Sequence, residues 1–257
     1  MKLKTIFLLV IILTLAFCVS AQKKLNKERE KDPHYQYNMG LFYLDSGDPD
    51  EAIKYFNNSL VLNPRNYLVF NALGFSYSMK GDLRQSLKFF QKCLEVNPNF
   101  TEAHNNIGMI YQEMGFIDKA EEEFKKVLAD EKYSSKENAY YNIANLYFIQ
   151  GKMDKALDNI QKAIQKNIRF AMGYNLKGRI LEKQNELSKA IESYERALKI
   201  VPGEIIFSFD LAVALFKNSE YSRAEEIFEK ISPQVTDPEM KDNINKYLKI
   251  IRERGKN

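Results

Sequence analysis

Four series of apolar positions run along the chain at one shared period. One is a row of small residues: Gly40, Gly74, Gly108, Ala144, Gly178 and Ala212. A second small row is Ala52, Ser86, Ala120, Ala156, Ala190 and Ala224. Two rows of large residues accompany them. Phe56, Phe90, Phe124, Ile160, Tyr194 and Phe228 form one, and Tyr43, Tyr77, Tyr111, Tyr147, Leu181 and Leu215 the other. In every row the steps are 34, 34, 36, 34 and 34 residues. Self-similarity at such a period marks stacked repeats, each too small to bury its own apolar face. Within a repeat the spacing predicts two antiparallel helices. The small residues sit where the helices touch, and the large ones fill the space beside them. Gly47, Gly81, Gly115 and Gly151 fall at the end of the first helix, where a left-handed residue is favoured. Pro64, Pro98 and Pro202 follow the second helix, with Lys132, Ile168 and Thr236 in that place elsewhere. The connection after the third repeat, within Asp130–Asn138, is two residues longer. It predicts a joint near residue 135 between three regular repeats and three more.

These marks resemble the tetratricopeptide-repeat (TPR) pattern. The resemblance implies an all-α fold, a right-handed superhelical solenoid of six TPR helix pairs plus a C-terminal capping helix. The repeats span 33–66, 67–100, 101–134, 137–170, 171–204 and 205–238. The cap covers 239–255, where Met240, Ile244, Tyr247, Leu248 and Ile251 share one helical face. In this pattern the first helices line a concave groove. Its positions are Tyr37, Leu41 and Leu44, then Leu68, Asn71, Phe75 and Met79, then Asn105, Met109 and Gln112. Tyr141, Asn145, Phe148, Asn175 and Arg179 continue it. Exposed aromatics and Met beside Asn amides suit an extended or helical peptide. Tyr37, Leu41 and Glu102 stand where some TPR proteins carry cations for a terminal carboxylate, so that mode of binding is not expected.

Composition narrows the chemistry. The net charge is only +4 and the basic residues are dispersed, so nucleic acid is not an expected partner. Two cysteines, Cys18 and Cys93, and two histidines, His34 and His104, supply no disulfide framework, metal site or cofactor site. No phosphate-cradling glycine loop and no nucleophile elbow occurs. The reading is therefore a scaffold without catalytic residues or small-molecule substrate. Cys93 falls at a close-packed helix position and is expected in the core.

The first 21 residues differ from the rest. Lys2 and Lys4 precede an apolar run from Ile6 to Val19, a length that suits a signal peptide better than a membrane span. Cleavage after Ala21 is one reading. Leu15-Ala16-Phe17-Cys18 offers another, a lipoprotein signal that would lipidate Cys18. Residues 22–32 read as a charged tether. Lys23, Lys24, Lys27, Arg29 and Lys31 favour a cytoplasmic flank, which keeps an uncleaved inner-membrane anchor open as a third. Under the first two, the protein is exported to the periplasm or to the inner leaflet of an outer membrane. Membrane contact runs only through this N-terminal segment.

Repeats behind a signal segment and tether resemble the pilotin-type TPR proteins of type IV pilus biogenesis, which are outer-membrane lipoproteins. Lys31-Asp32-Pro33 and the longer break within residues 127–148 carry the likeness. The resemblance implies a factor that helps an outer-membrane secretin reach its membrane and assemble. It places the partner groove in the early repeats, on Tyr37, Leu41, Leu68 and Phe75. A general envelope adaptor with another protein client, or a non-catalytic subunit of an enzyme complex, are the alternatives.

Overall fold

The computed structural model describes residues 27–254. The signal segment, Cys18 and most of the tether lie outside the described residues. Thirteen α-helices follow one another between residues 33 and 254, and no strand occurs among the described residues. They are α1 (Pro33–Asp45), α2 (Pro49–Leu62), α3 (Tyr67–Met79), α4 (Leu83–Val96), α5 (Thr101–Glu113), α6 (Ile117–Ala129), α7 (Lys136–Ile149) and α8 (Met153–Lys166). Then come α9 (Ala171–Lys183), α10 (Leu187–Ile200), α11 (Ile205–Lys217), α12 (Tyr221–Ile231) and α13 (Pro238–Arg254). A short 3-10 turn at Ser232–Gln234 precedes α13.

Local chemistry sets the helix ends. Asp32, Asp48, Asn66 and Asp82 cap α1 to α4, each accepting from a backbone N–H of the first turn. Pro33 and Pro49 occupy the first helical position, where a missing N–H costs nothing. The turn between paired helices needs one left-handed residue. Gly47, Gly81, Gly115 and Gly151 supply it at φ of 74° to 80°, and Asn185 and Ser219 fill the same place at 63° and 64°. Asn tolerates that conformation; Ser gives up more for it.

The described residues form two compact units, which divide between Phe116 and Ile117. In the first, α1 packs on α2 and α3 on α4. Ala52, Phe56, Val69, Ala72 and Leu73 form its buried centre, with Tyr37, Leu41, Tyr43 and Leu44 against them. Full burial of Phe56 contributes about 1.5–3 kcal/mol of transfer free energy. The ring lies across Gly40, which has no side chain to hold it off. Phe90 sits across Gly74 in the same way and packs with Ile107 and Ile110.

In the second unit α7 packs on α8, α9 on α10, and α11 on α12. Ala144, Ile160, Leu176 and Ile180 centre one cluster. Tyr194, Leu211, Leu215, Phe228 and Ile231 centre another, which Ile244, Leu248 and Ile251 of α13 complete.

The longer connection does not act as the expected joint. It occupies residues 130–135, against the four residues 97–100 after α4. Yet it lies inside the second unit, and the two units divide at 116/117, within the third repeat. The reason is that α6 and α7 hold each other directly. Tyr147 donates its hydroxyl to Glu121 at 2.8 Å, and Lys136 Nζ donates to the Leu128 carbonyl at 3.3 Å. The helices on either side stay packed despite the extra residues.

Candidate protein-binding faces

Within each unit, the first helices of neighbouring pairs touch one another: α1 with α3 and α3 with α5, then α7 with α9 and α9 with α11. The row of first helices therefore forms a continuous face in each unit, and the expected groove positions fall on it.

In the first unit those positions divide into two kinds. Tyr37, Leu41 and Leu44 are half-buried against the core around Phe56. The Tyr37 ring stands 5.8 Å from that of Phe56, and burial raises its phenol above the usual range. Leu68, Phe75, Met79 and Met109 are exposed, Phe75 at 47%. Large apolar side chains held out on rigid helices are what a partner's apolar groups can cover. Gln112 is half-buried beside them.

Two of the asparagines at these positions bond to the next repeat. Asn71 Oδ1 accepts from Asn106 Nδ2 at 3.0 Å, tying α3 to α5. Asn175, in the second unit, is buried and donates to Asp210 Oδ2 at 2.8 Å, tying α9 to α11. Both pairs span 35 residues and occupy the same two registers, so each joins one repeat to the next. A buried amide must find a partner, and the adjacent repeat is nearest. Burial holds the Asp210 carboxyl above its ordinary value; the Asn175 bond and Arg179 work against that shift, and Glu182 adds to it. Asn105 Nδ2 approaches the Met109 sulfur at 3.6 Å, and Asn145 is half-buried.

The aromatic positions of the second unit also make internal contacts. Tyr141 meets Phe170 edge-on at 5.6 Å, and burial raises its phenol. Phe148 lies beneath the Arg179 guanidinium at 5.0 Å, a cation–π pair that leaves both groups at the surface edge. Met172 and Ile206 are exposed on this face although neither was singled out by pattern. They occupy the register of Leu68, so the period alone could have found them.

Cys93 is fully buried, and burial pushes its thiol up to about 12, so it carries no thiolate at neutral pH. Among the described residues no group of three or more His, Cys, Asp or Glu could hold a metal ion. No helix among them is long and apolar enough to cross a membrane.

Consecutive antiparallel helix pairs, a left-handed residue in each turn and small residues under large rings define a helical-repeat scaffold. The chain belongs to the tetratricopeptide-repeat superfamily. Tetratricopeptide-repeat models match residues 35–66, 68–100 and 89–122. The model of the tetratricopeptide repeat protein 21 C-terminal ARM domain matches residues 118–246, half of the chain. No curated protein sequence matches it. Among solved structures it is similar to PilW, a widely conserved type IV pilus biogenesis factor, at 16% identity and a TM-score of 0.74, covering 82% of this chain and 97% of that one. It is also similar to pilF of Pseudomonas aeruginosa, at 14% identity and a TM-score of 0.71, covering 85% and 98%. A tetratricopeptide repeat protein from Parabacteroides merdae matches at 20% identity and a TM-score of 0.69, covering 93% and 94%. These likenesses carry the fold, and the fold is that of a protein-interaction scaffold.

Proposed function

We propose that this protein is an exported TPR scaffold that serves type IV pilus biogenesis, binding an outer-membrane secretin and promoting its localisation and assembly. The observation that carries the binding role is the exposed apolar row Leu68, Phe75, Met79 and Met109, set on helices whose other faces are fixed in a core. A rigid apolar face loses little conformational freedom on binding, which favours capture of a partner segment. The pilus role is supported by the match to nearly the full length of two pilus-related TPR structures. Export is supported by the lysine-flanked apolar run at the start of the sequence, with Cys18 or Gln22 as the mature N-terminus.

The test is carried out in the native host. Deleting the gene should abolish the secretin multimer in the outer membrane, and a chain carrying Leu41→Ala and Phe75→Ala should fail to restore it while keeping its helical circular dichroism. A multimer that persists in the deletion strain would defeat the pilus reading. Full rescue by the double variant would defeat the groove assignment. Mass spectrometry of the native protein separates acylated Cys18, a Gln22 N-terminus and an intact Met1.

A further inference from the structure

The second unit carries a cleft on its opposite side, between the second helices α8 and α10 and over α9. It encloses about 500 Å³, and a recess of about 300 Å³ shares Tyr174 and Arg196 with it. None of the expected groove positions lines either space.

Lys177 sets this cleft apart from the rest of the stack. Its register holds Met39, Leu73, Ile107, Ile143 and Leu211 in the other five repeats. The last four of these are buried. At this one position an aliphatic residue gives way to a lysine, which stays half-exposed on the cleft floor. A cation at a core register gives up apolar burial at a cost in stability. Nothing in the fold returns that cost, because Lys177 has no ion pair or side-chain hydrogen bond among the described residues.

Arg196 is unpaired as well, as is Lys230 in the same register of the sixth repeat. In earlier repeats its register holds Lys92, which lies over the Phe70 and Phe89 rings, Lys126, paired with Glu123, and Lys162, paired with Asp158. Arg196 has no such partner, and neither Arg169 nor Lys199 beside it has one. Elsewhere in this unit Arg223 and Arg252 each hold two carboxylates, while Arg179 and Arg254 lie over the Phe148 and Tyr221 rings. Four unpaired cations thus surround Tyr174 and an apolar wall. Ile168, at the recess edge, is 74% exposed where three other repeats have a proline.

We propose that this cleft is a second docking site, and that it takes an acidic peptide segment of a partner protein. Carboxylates of the segment meet Lys177 on the floor and Arg196 at the rim, with Arg169 and Lys199 extending the positive strip. Its aliphatic side chains pack against Leu157 and Ile168. A peptide fits better than an anionic bilayer or a phosphate polymer. Glu192 and the Lys189-bound Glu186 also line the cleft, and a dense anionic surface would be repelled by them. Lys177 lines the cleft itself, a concavity that a side chain enters and a flat surface does not.

The probe is a fluorescein-labelled peptide of alternating Glu and Leu, with a Gln–Leu peptide as the neutral control, read by anisotropy on the full chain. The acidic peptide should bind roughly tenfold more tightly than the neutral one, and the preference should fade at high salt. Lys177→Leu restores the residue type of the other repeats. It should raise the melting temperature and weaken acidic-peptide binding by roughly tenfold. Arg196→Glu should weaken binding similarly, and Phe75→Ala should leave it unchanged. Equal affinity for the two peptides, or full binding by the better-folded Lys177→Leu chain, would overturn the proposal. So would sedimentation with phosphatidylglycerol vesicles that Lys177→Leu abolishes while the peptide shows no preference; that result would assign the cleft to a membrane.

Discussion

Gly40 and Phe56 interlock: a methyl group placed on Gly40 would stand 2.4 Å from Cε1 of the fully buried Phe56 ring. The same fit recurs between Gly74 and Phe90 at 2.6 Å and between Gly178 and Tyr194 at 2.5 Å. The fourth repeat solves the contact the other way, with Ala144 and the smaller Ile160 buried in one cluster.

Gly40→Ala should therefore destabilise the first unit. Helix propensity favours Ala by about 1 kcal/mol, but overpacking against a ring with no free side costs about 1–3 kcal/mol and outweighs it. The stringent check is the double variant Gly40→Ala with Phe56→Ile, which copies the fourth repeat. Urea unfolding should show the double variant recovering part of the loss. A fully additive loss would mean that the two residues do not share one space.

Asp210 gives a pH prediction. Burial raises its folded carboxyl above the unfolded value, so the folded state binds the proton more tightly. Its penalty is then fully present above the raised folded value, shrinks as pH falls through it, and vanishes below the ordinary Asp range. Asp210→Asn copies the neutral Asn71–Asn106 pair of the first unit and can still accept from Asn175. The variant should be the more stable at neutral pH, and the gap should close on acidification. Thermal melts across pH decide it; a gap that widens in acid would reverse the assignment.

Ser86 is the only serine in a row otherwise made of alanines, and its buried Oγ has no partner. An unsatisfied buried hydroxyl costs about 1–3 kcal/mol. Ser86→Ala should raise stability by about 1–2 kcal/mol in denaturant unfolding. A loss would show that the hydroxyl is hydrogen-bonded in solution.

We propose that α13 is the cap of the stack. Ile244 is fully buried against the cluster around Phe228, and Tyr247 stacks on Phe228 with centroids 5.2 Å apart. Ile244→Ala should cost about 2–5 kcal/mol and strip hydrogen-exchange protection from α11 and α12 before α7 and α8. Uniform protection across the unit would argue against a capping role.

The repeat, its two helices and the packing registers were legible in the sequence because they depend on local periodicity. Gly40, Ala52 and Phe56 recur at one spacing, and a helix converts that spacing directly into shared faces. Even the left-handed turn could be read at Gly47 and its three equivalents. Which side chains remained available to a partner was not legible, because that depends on what an adjacent repeat offers. Asn71 and Asn175 look like ligand contacts by register, but Asn106 and Asp210 stand within reach in the next repeat and engage them. The longer connection looked like a joint, but Glu121 and Tyr147 meet across it and keep α6 on α7. Lys177 reads as one more dispersed cation until the fold puts it at the register of buried Leu73 and Leu211. Sequence by itself determined the unit and its repetition, since both follow from contacts within about 34 residues. Only the tertiary structure decided which polar groups were satisfied, because hydrogen bonds and ion pairs are won by proximity in space.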